Sequence, residues 1–463
     1  MNGNGMRVVV VGAGLAGLTA AVDLVAAGAD VTVLEARDRV GGRMHGIPVS
    51  EDAFADGGAA YLGVRHTELL AMLRENGLGL ASTGMVGDST FLVADRHTTT
   101  ASRMPPLDAI ALGDLFDRLE ELVEQVVPAA PWLSPRAESL DRLTAARWLA
   151  DEVGHPDART FFPLFIGEMM AADPAAISVL HMAFYLSSGG GIRYLNAFQG
   201  GAQEWRIDGG SHQLCEALAA QLGDRVRLGE PVYAIDQEGP DTVVVQCGSA
   251  GDGTRSQYRA DRVVVAIPPL LAQRIEFRPG LPSPRATTVT GRGCAIKVHL
   301  SYPAPLWREQ GLSGWSVSTH GPLLSTVDDS PPDQSVGVLT GFVTGAAASS
   351  FSALSPVQQR DAALEHARRL FPQLPPPTRC TVTDWVAEEY SRGCYAALFG
   401  PGDWLKLGPT LTAPHGRVHW AGTETSLEFF GLMEGAIRSG RRVANELTHG
   451  AEPASASRKV MSL

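Results

Sequence analysis

The chain has 463 residues and a net charge of −12 from 38 basic and 50 acidic side chains, with 44% hydrophobic and 19% charged residues. That length suits two or three domains, and a content of 51 glycines and 30 prolines is below that of disordered chains, so a folded globular protein is expected. The acidic balance gives no attraction to polyphosphate backbones or anionic lipid and argues against nucleic acid as a partner.

Cys215, Cys247, Cys294, Cys380 and Cys394 are scattered and show no CxxC or CxxxH spacing. Neither a metal site nor a disulfide framework is expected, and a reducing cytosol suits them best. The most apolar stretch, Val8 to Ala27, contains Asp23 and three spaced glycines and lacks a basic leader, so it reads as strand, turn and helix rather than signal or membrane span. A soluble cytoplasmic protein without a membrane anchor is expected, with flexible tails before Met6 and over residues 451–463.

In chain order, Met6 to Val11 is a β-branched run typical of a strand buried in a parallel sheet. Gly12-Ala-Gly-Leu-Ala-Gly17 follows, then a helix with Leu15, Leu18, Val22 and Val25 on one face and Gly28 as its stop. Val31 to Leu34 is the next strand, ending at Glu35. Glycines in such a turn let a pyrophosphate approach the backbone, and a carboxylate 18 residues after Gly17 can accept both ribose hydroxyls. Glu35 would repel a 2′-phosphate, so the ligand is FAD or NAD rather than NADP. Arg37-Asp-Arg-Val-Gly-Gly-Arg43 forms a second glycine loop with basic residues, which one NAD half-site does not need.

Helical periodicity runs from Leu107 to Val127 and from Leu140 to Val153, around a proline-rich break at Pro128 to Pro135. Arg225 to Ile235, Thr242 to Cys247 and Tyr258 to Ile267 alternate like strands, as do Cys294 to Tyr302 and Gly337 to Val343 in a second sheet. Pro356 to Leu370 reads as a helix. Strand Val418 to Ala421 and a helix from about Met433 to Leu447 close the chain. The expected architecture is α/β: a discontinuous Rossmann-like FAD-binding domain (1–80, 205–285 and 390–450) with an inserted mixed α+β substrate-binding domain (81–204 and 286–389).

The stretches VVVVGAGLAGLTAA, LEARDRVGGR, GGAQEWRIDGGS, Asp384-Trp385 to Tyr395, AGTETS and GLMEGAIRSG resemble the flavin amine oxidase family, which includes monoamine, polyamine and L-amino acid oxidases. The resemblance implies FAD held by Gly12, Gly14, Gly17, Glu35, Ala36, Arg37, Gly42 and Arg43. It puts Val232 near the adenine, Gly422 and Thr423 near the pyrophosphate, and Gly58, Ala59, Ala60 and Met433 near the isoalloxazine. Ala59 departs from the family's usual glycine pair.

It further implies oxidation of an amine to an imine by hydride transfer to flavin N5, with O2 reoxidation giving hydrogen peroxide. Lys297 stands near N5, although spacing alone puts it on the polar face of its strand. Trp385 lies against the flavin, Tyr395 forms one wall of an aromatic pair, and Gln203 lines the substrate pocket. Leu432 replaces the second aromatic, so the slot suits an amine bulkier than benzylamine. Cys394 occupies the position of a thioether to FAD, a link that stays open. Glu434 is read as a helix opener, and His181 and His299 show no metal spacing. Partners are a small-molecule amine and O2, and a homodimer is left open. Alternatives are an L-amino acid oxidase using Arg65, although the Met-Arg motif of those enzymes is absent; a biosynthetic amine or amide oxidase whose imine cyclises; and a non-catalytic flavin-fold binding protein, which Lys297 and Trp385 together argue against.

Overall fold

The computed structural model describes residues 5–449 except 52, 238, 240, 241 and 249–254; of the expected tails, 1–4 and 451–463 lie outside the described residues, while Gly5 is held by its N–H donating to the Gly28 carbonyl at 3.1 Å. Strand Arg7–Val11, helix Leu15–Ala26 and strand Asp30–Leu34 form the opening unit. Asp30–Leu34 and Arg262–Val265 pair with the two edges of Arg7–Val11, and Val8 to Val11 are buried because one face, Val8 and Val10, packs on Leu18 and Leu24 of the helix while the other, Val9 and Val11, is covered by another sheet. Val226–Arg227 and Val418–Trp420 complete a five-stranded parallel sheet.

Helix Met433–His449 crosses helix Leu15–Ala26 so closely that a Cβ on Gly440 would stand 2.5 Å from the Ala16 carbonyl oxygen. Val9, Val11, Val263 and Val265 pack with Ile235, Val243 and Val245 of a four-stranded sheet, ordered Arg255–Ala260, Val243–Gly248, Val232–Asp236 and Glu276–Arg278.

Two segments expected as single strands divide between these sheets. Gly229, at φ +72°, and Pro231 turn the chain between Val226–Arg227 and Val232–Asp236. Asp261 interrupts the other, its carboxylate accepting the Arg7 backbone N–H and guanidinium at 2.8 Å each. The helix expected over Leu140 to Val153 also divides, into Ala137–Arg142 and Ala145–Glu152. Leu143 and Thr144 are extended between them, and the Thr144 hydroxyl caps the second helix by accepting the Arg147 N–H.

The second sheet has seven strands, ordered Arg379–Asp384, Ala295–Tyr302, Gly337–Thr344, Ser325–Asp328, Leu312–Ser318, Asp88–Val93 and Arg96–Thr100. Ala295–Tyr302 and Gly337–Thr344 are buried at every position, so both faces are covered and neither is a polar solvent face. Helix Pro356–Leu370 packs with one side of this sheet through Ala363, Ala367 and Leu370. Among the described residues no helix is long and apolar enough to cross a membrane.

Candidate active site

Register across the seven-stranded sheet builds one wall. Lys297 pairs with Phe342, and Phe342 with Ser325, so the three form a row across adjacent strands and project from one face. Lys297 and Phe342 border a cavity of about 450 Å³. It runs from the Gly12 turn of the parallel sheet to this row.

At the turn end, Gly12, Gly14, Glu35, Ala36, Arg37, Gly42, Arg43 and Val232 line the cavity. Helix Leu15–Ala26 starts at Gly14 with no side-chain cap, and a Cβ on Gly14 would meet nothing within 4 Å. Uncapped N–H donors therefore open onto free space, with the positive end of the helix dipole behind them. Glu35 Oε2 accepts the Ala13 N–H at 2.8 Å, while Oε1 accepts the Arg37 N–H at 3.0 Å, which fixes the carboxylate at the cavity wall. The Arg37 side chain ties Glu35 to Glu388 and Ser391.

Gly17 does not reach the cavity. Its Cβ would stand 2.0 Å from the Gly12 carbonyl oxygen, so glycine here serves the packing of helix on turn. Arg43 is engaged by protein: its guanidinium donates to Glu424 Oε1 and to the Tyr395 carbonyl, both at 2.6 Å, and so holds the 395 segment in place.

At the far end the cavity is lined by Gly58, Ala59, Ala60, Gln203, Lys297, Cys394, Tyr395, Gly422, Thr423, Leu432 and Met433. The 56–60 loop is anchored from several sides. Lys297 Nζ donates to the Asp56 carbonyl at 2.9 Å, and His299 Nε2 lies 3.3 Å from the same oxygen. Trp385 Nε1 donates to the Gly57 carbonyl at 2.7 Å, and Ser211 Oγ to that of Ala59 at 2.6 Å.

Trp385 is placed behind the wall rather than on it. It is fully buried with Ala171, Ala295 and Cys394, and a Cβ on Gly58 would stand 3.1 Å from its ring. Lys297 is 3% exposed, which overturns its reading as a residue of a polar strand face. Burial pushes its pKa down, against the pull of Asp329 and Asp56. Burial pushes the Cys394 thiol up to about 11 and the Tyr395 phenol well above its ordinary value. Gln203 Nε2 donates to the Leu195 carbonyl at 3.0 Å.

Glu434 accepts the Glu68 and Leu69 N–H groups at 3.2 and 2.8 Å, capping the neighbouring helix Thr67–Glu75. Arg65 donates to the Gly190 carbonyl at 2.9 Å and stacks over Tyr194, away from the cavity lining. Among the lining residues missed from the sequence are Tyr61, Glu168, Tyr185 and Phe342. For Glu168 a signal exists, since it is the lone charge in the apolar run Phe161 to Ala172.

A family model described as flavin containing amine oxidoreductase matches residues 15–448. The chain belongs to the flavin-containing amine oxidoreductases. It is 35% identical over 449 residues to the "Probable flavin-containing monoamine oxidase A" of Dictyostelium discoideum, covering 95% of this chain and 97% of that one. Among solved structures, a putrescine oxidase bound to putrescine superposes with a TM-score of 0.89 at 30% identity, covering 96% of this chain and 98% of that one. Cyclohexylamine oxidase from Brevibacterium oxydans IH-35A gives 0.89 at 31%, covering 96% and 99%.

The protein is thus an FAD-dependent amine oxidase, and its cavity fits the cofactor: an uncapped helix start and a fixed carboxylate at one end, and a mostly apolar chamber at the other. Bound there, FAD supplies the acceptor for the hydride of the amine's α-carbon and returns the electrons to O2. The oxidase itself contributes a desolvated chamber, in which an amine loses its proton more readily than in water.

Proposed function

We propose that this oxidase acts on an amine bulkier than benzylamine, with Lys297, Tyr395 and Trp385 serving the reaction and Gln203, Leu432 and Tyr395 shaping the substrate pocket. The observation that carries the reading is the single cavity that joins the Gly14 helix start to the chamber of Lys297, Gln203, Tyr395 and Leu432. Tyr395 offers an aromatic wall, and Leu432 offers no second ring. Trp385 acts as a positioning residue, holding the Gly57 carbonyl and backing Gly58. Gly12, Gly14, Glu35, Ala36, Arg37, Gly42, Val232, Gly422, Thr423 and Met433 are assigned to FAD. Gly17 and Arg43 support that site through packing and through the 395 segment.

The proposed division of the chain is supported by the sheets. Every strand of the parallel sheet comes from 1–80, 205–285 or 390–450, and every strand of the seven-stranded sheet from 81–204 or 286–389. An amino acid substrate fits less well, because Arg65 is turned toward Gly190 and does not line the cavity. Five free thiols agree with a cytoplasmic setting.

Leu432→Tyr tests the pocket. Restoring a ring adds about 0.5–1.5 kcal/mol of stacking and removes volume. The wild type is expected to show a higher kcat/KM for bulky amines than for benzylamine, and the variant to move that ratio toward benzylamine. A wild type that prefers benzylamine, or an unchanged ratio, contradicts the proposal.

A further inference from the structure

Glu168 has no assigned task in amine oxidation, yet it stands on the wall of the reacting chamber. It lies near the end of helix Pro156–Met170, where the preceding residue presses on the seven-stranded sheet: a Cβ on Gly167 would stand 2.9 Å from Thr344 Oγ1. That contact fixes the carboxyl over the cross-strand row. Oε2 accepts the Ser325 hydroxyl at 2.7 Å, and Oε1 has no hydrogen-bond partner among the described residues. Glu168 is half-buried, and the cavity is where it meets open space.

The row acts as a ruler. Ser325 is two strands from Lys297, with Phe342 between them, so the Cα atoms are roughly 10 Å apart at ~4.8 Å per strand. Lys297 marks one end of the wall and Glu168, held by Ser325, the other. Lys297, Tyr61 and Tyr395 lie within electrostatic reach of Glu168.

We propose that Glu168 determines substrate specificity by accepting a hydrogen bond from a second ammonium group, so that within the class of amines larger than benzylamine the preferred substrate is a diamine. The proposal rests on the reading of Lys297 and Tyr395 as the reacting end. A carboxyl with a free oxygen in an apolar chamber needs a donor, and a hydrocarbon chain provides none. Burial pushes the Glu168 carboxyl up to about 7 against the Ser325 hydrogen bond and the more distant Lys297 charge, so an arriving cation that reaches Oε1 favours its ionised form and the two charges enter the chamber as a pair.

The test uses FAD-loaded enzyme with hexane-, octane- and decane-α,ω-diamines, each against the n-alkylamine of equal length. Wild type is expected to favour at least one diamine over its alkylamine by about tenfold or more in kcat/KM, the scale of one charge-assisted hydrogen bond. Glu168→Leu should lose that preference and gain on the alkylamines, and Glu168→Gln should fall between. A second arm reads binding without turnover: the hexanediamine with both α-carbons dimethylated has no α C–H, and its calorimetric dissociation constant should rise about tenfold in Glu168→Leu. Equal diamine-to-alkylamine ratios in wild type and Glu168→Leu, or an unchanged dissociation constant, overturn the proposal. Failure of the reacting-end reading looks different: Lys297→Met would leave both half-reactions unchanged while the Glu168 variants still shift binding.

Discussion

Lys297 donates to the Asp56 carbonyl at 2.9 Å, with the Phe342 and Tyr61 rings 5.0 and 5.8 Å from its ammonium. These contacts tie it to the 56–60 loop and none reaches the Gly12 turn. Lys297→Met keeps most of the volume and removes the donor. FAD is expected to stay bound while reoxidation or product release slows by at least about tenfold, the scale of one charged hydrogen bond. Stopped-flow measurement of both half-reactions checks this, and unchanged rates in both would return the lysine to a structural part. For Cys394, a thiol pushed up to about 11 by burial holds little thiolate at neutral pH, so non-covalent FAD is expected. Acid precipitation should leave the yellow colour in the supernatant; colour in the pellet would show a thioether.

Helix Val179–Ser188 carries His181 into the core, where its Nδ1 accepts the Trp404 indole N–H at 3.2 Å and its ring stacks on Phe399. Burial lowers the His181 pKa to about 3 from an ordinary 6.5. The unfolded chain therefore takes up this proton below pH 6.5 while the folded chain does not until about 3, so His181 costs stability as pH falls through that window. His181→Phe orphans the indole N–H but also removes the imidazole Nε2, which is buried with no partner among the described residues, so the two changes should offset to within about 1 kcal/mol near neutral pH. Relative to wild type the variant should gain stability as pH drops below 6.5. Denaturant melts at several pH values check it, and a variant that loses ground to wild type on acidification contradicts the expectation.

At the scale of the whole molecule, the opening unit was legible because its signals are local: a β-branched run, glycines at fixed spacing, and a carboxylate after the next strand. The cavity collects most of the residues singled out from sequence, including Gly14 and Lys297, although they come from distant parts of the chain. What stayed illegible depends on tertiary packing. Full burial of Ala295–Tyr302 follows from what covers both sheet faces, and alternation in the sequence does not report it. Glu168 and Tyr185 reach the chamber from helices whose orientation no local pattern sets. Trp385 sits one layer back because its indole N–H is needed by the Gly57 carbonyl.

The most direct measurement is anaerobic mixing of the purified yellow protein with a panel of bulky monoamines, diamines and benzylamine, following the flavin's visible absorbance, and then admitting O2 while recording hydrogen peroxide. Bleaching by at least one amine, with peroxide formed as the colour returns, is the predicted result. Flavin that stays oxidised with every amine would contradict the account.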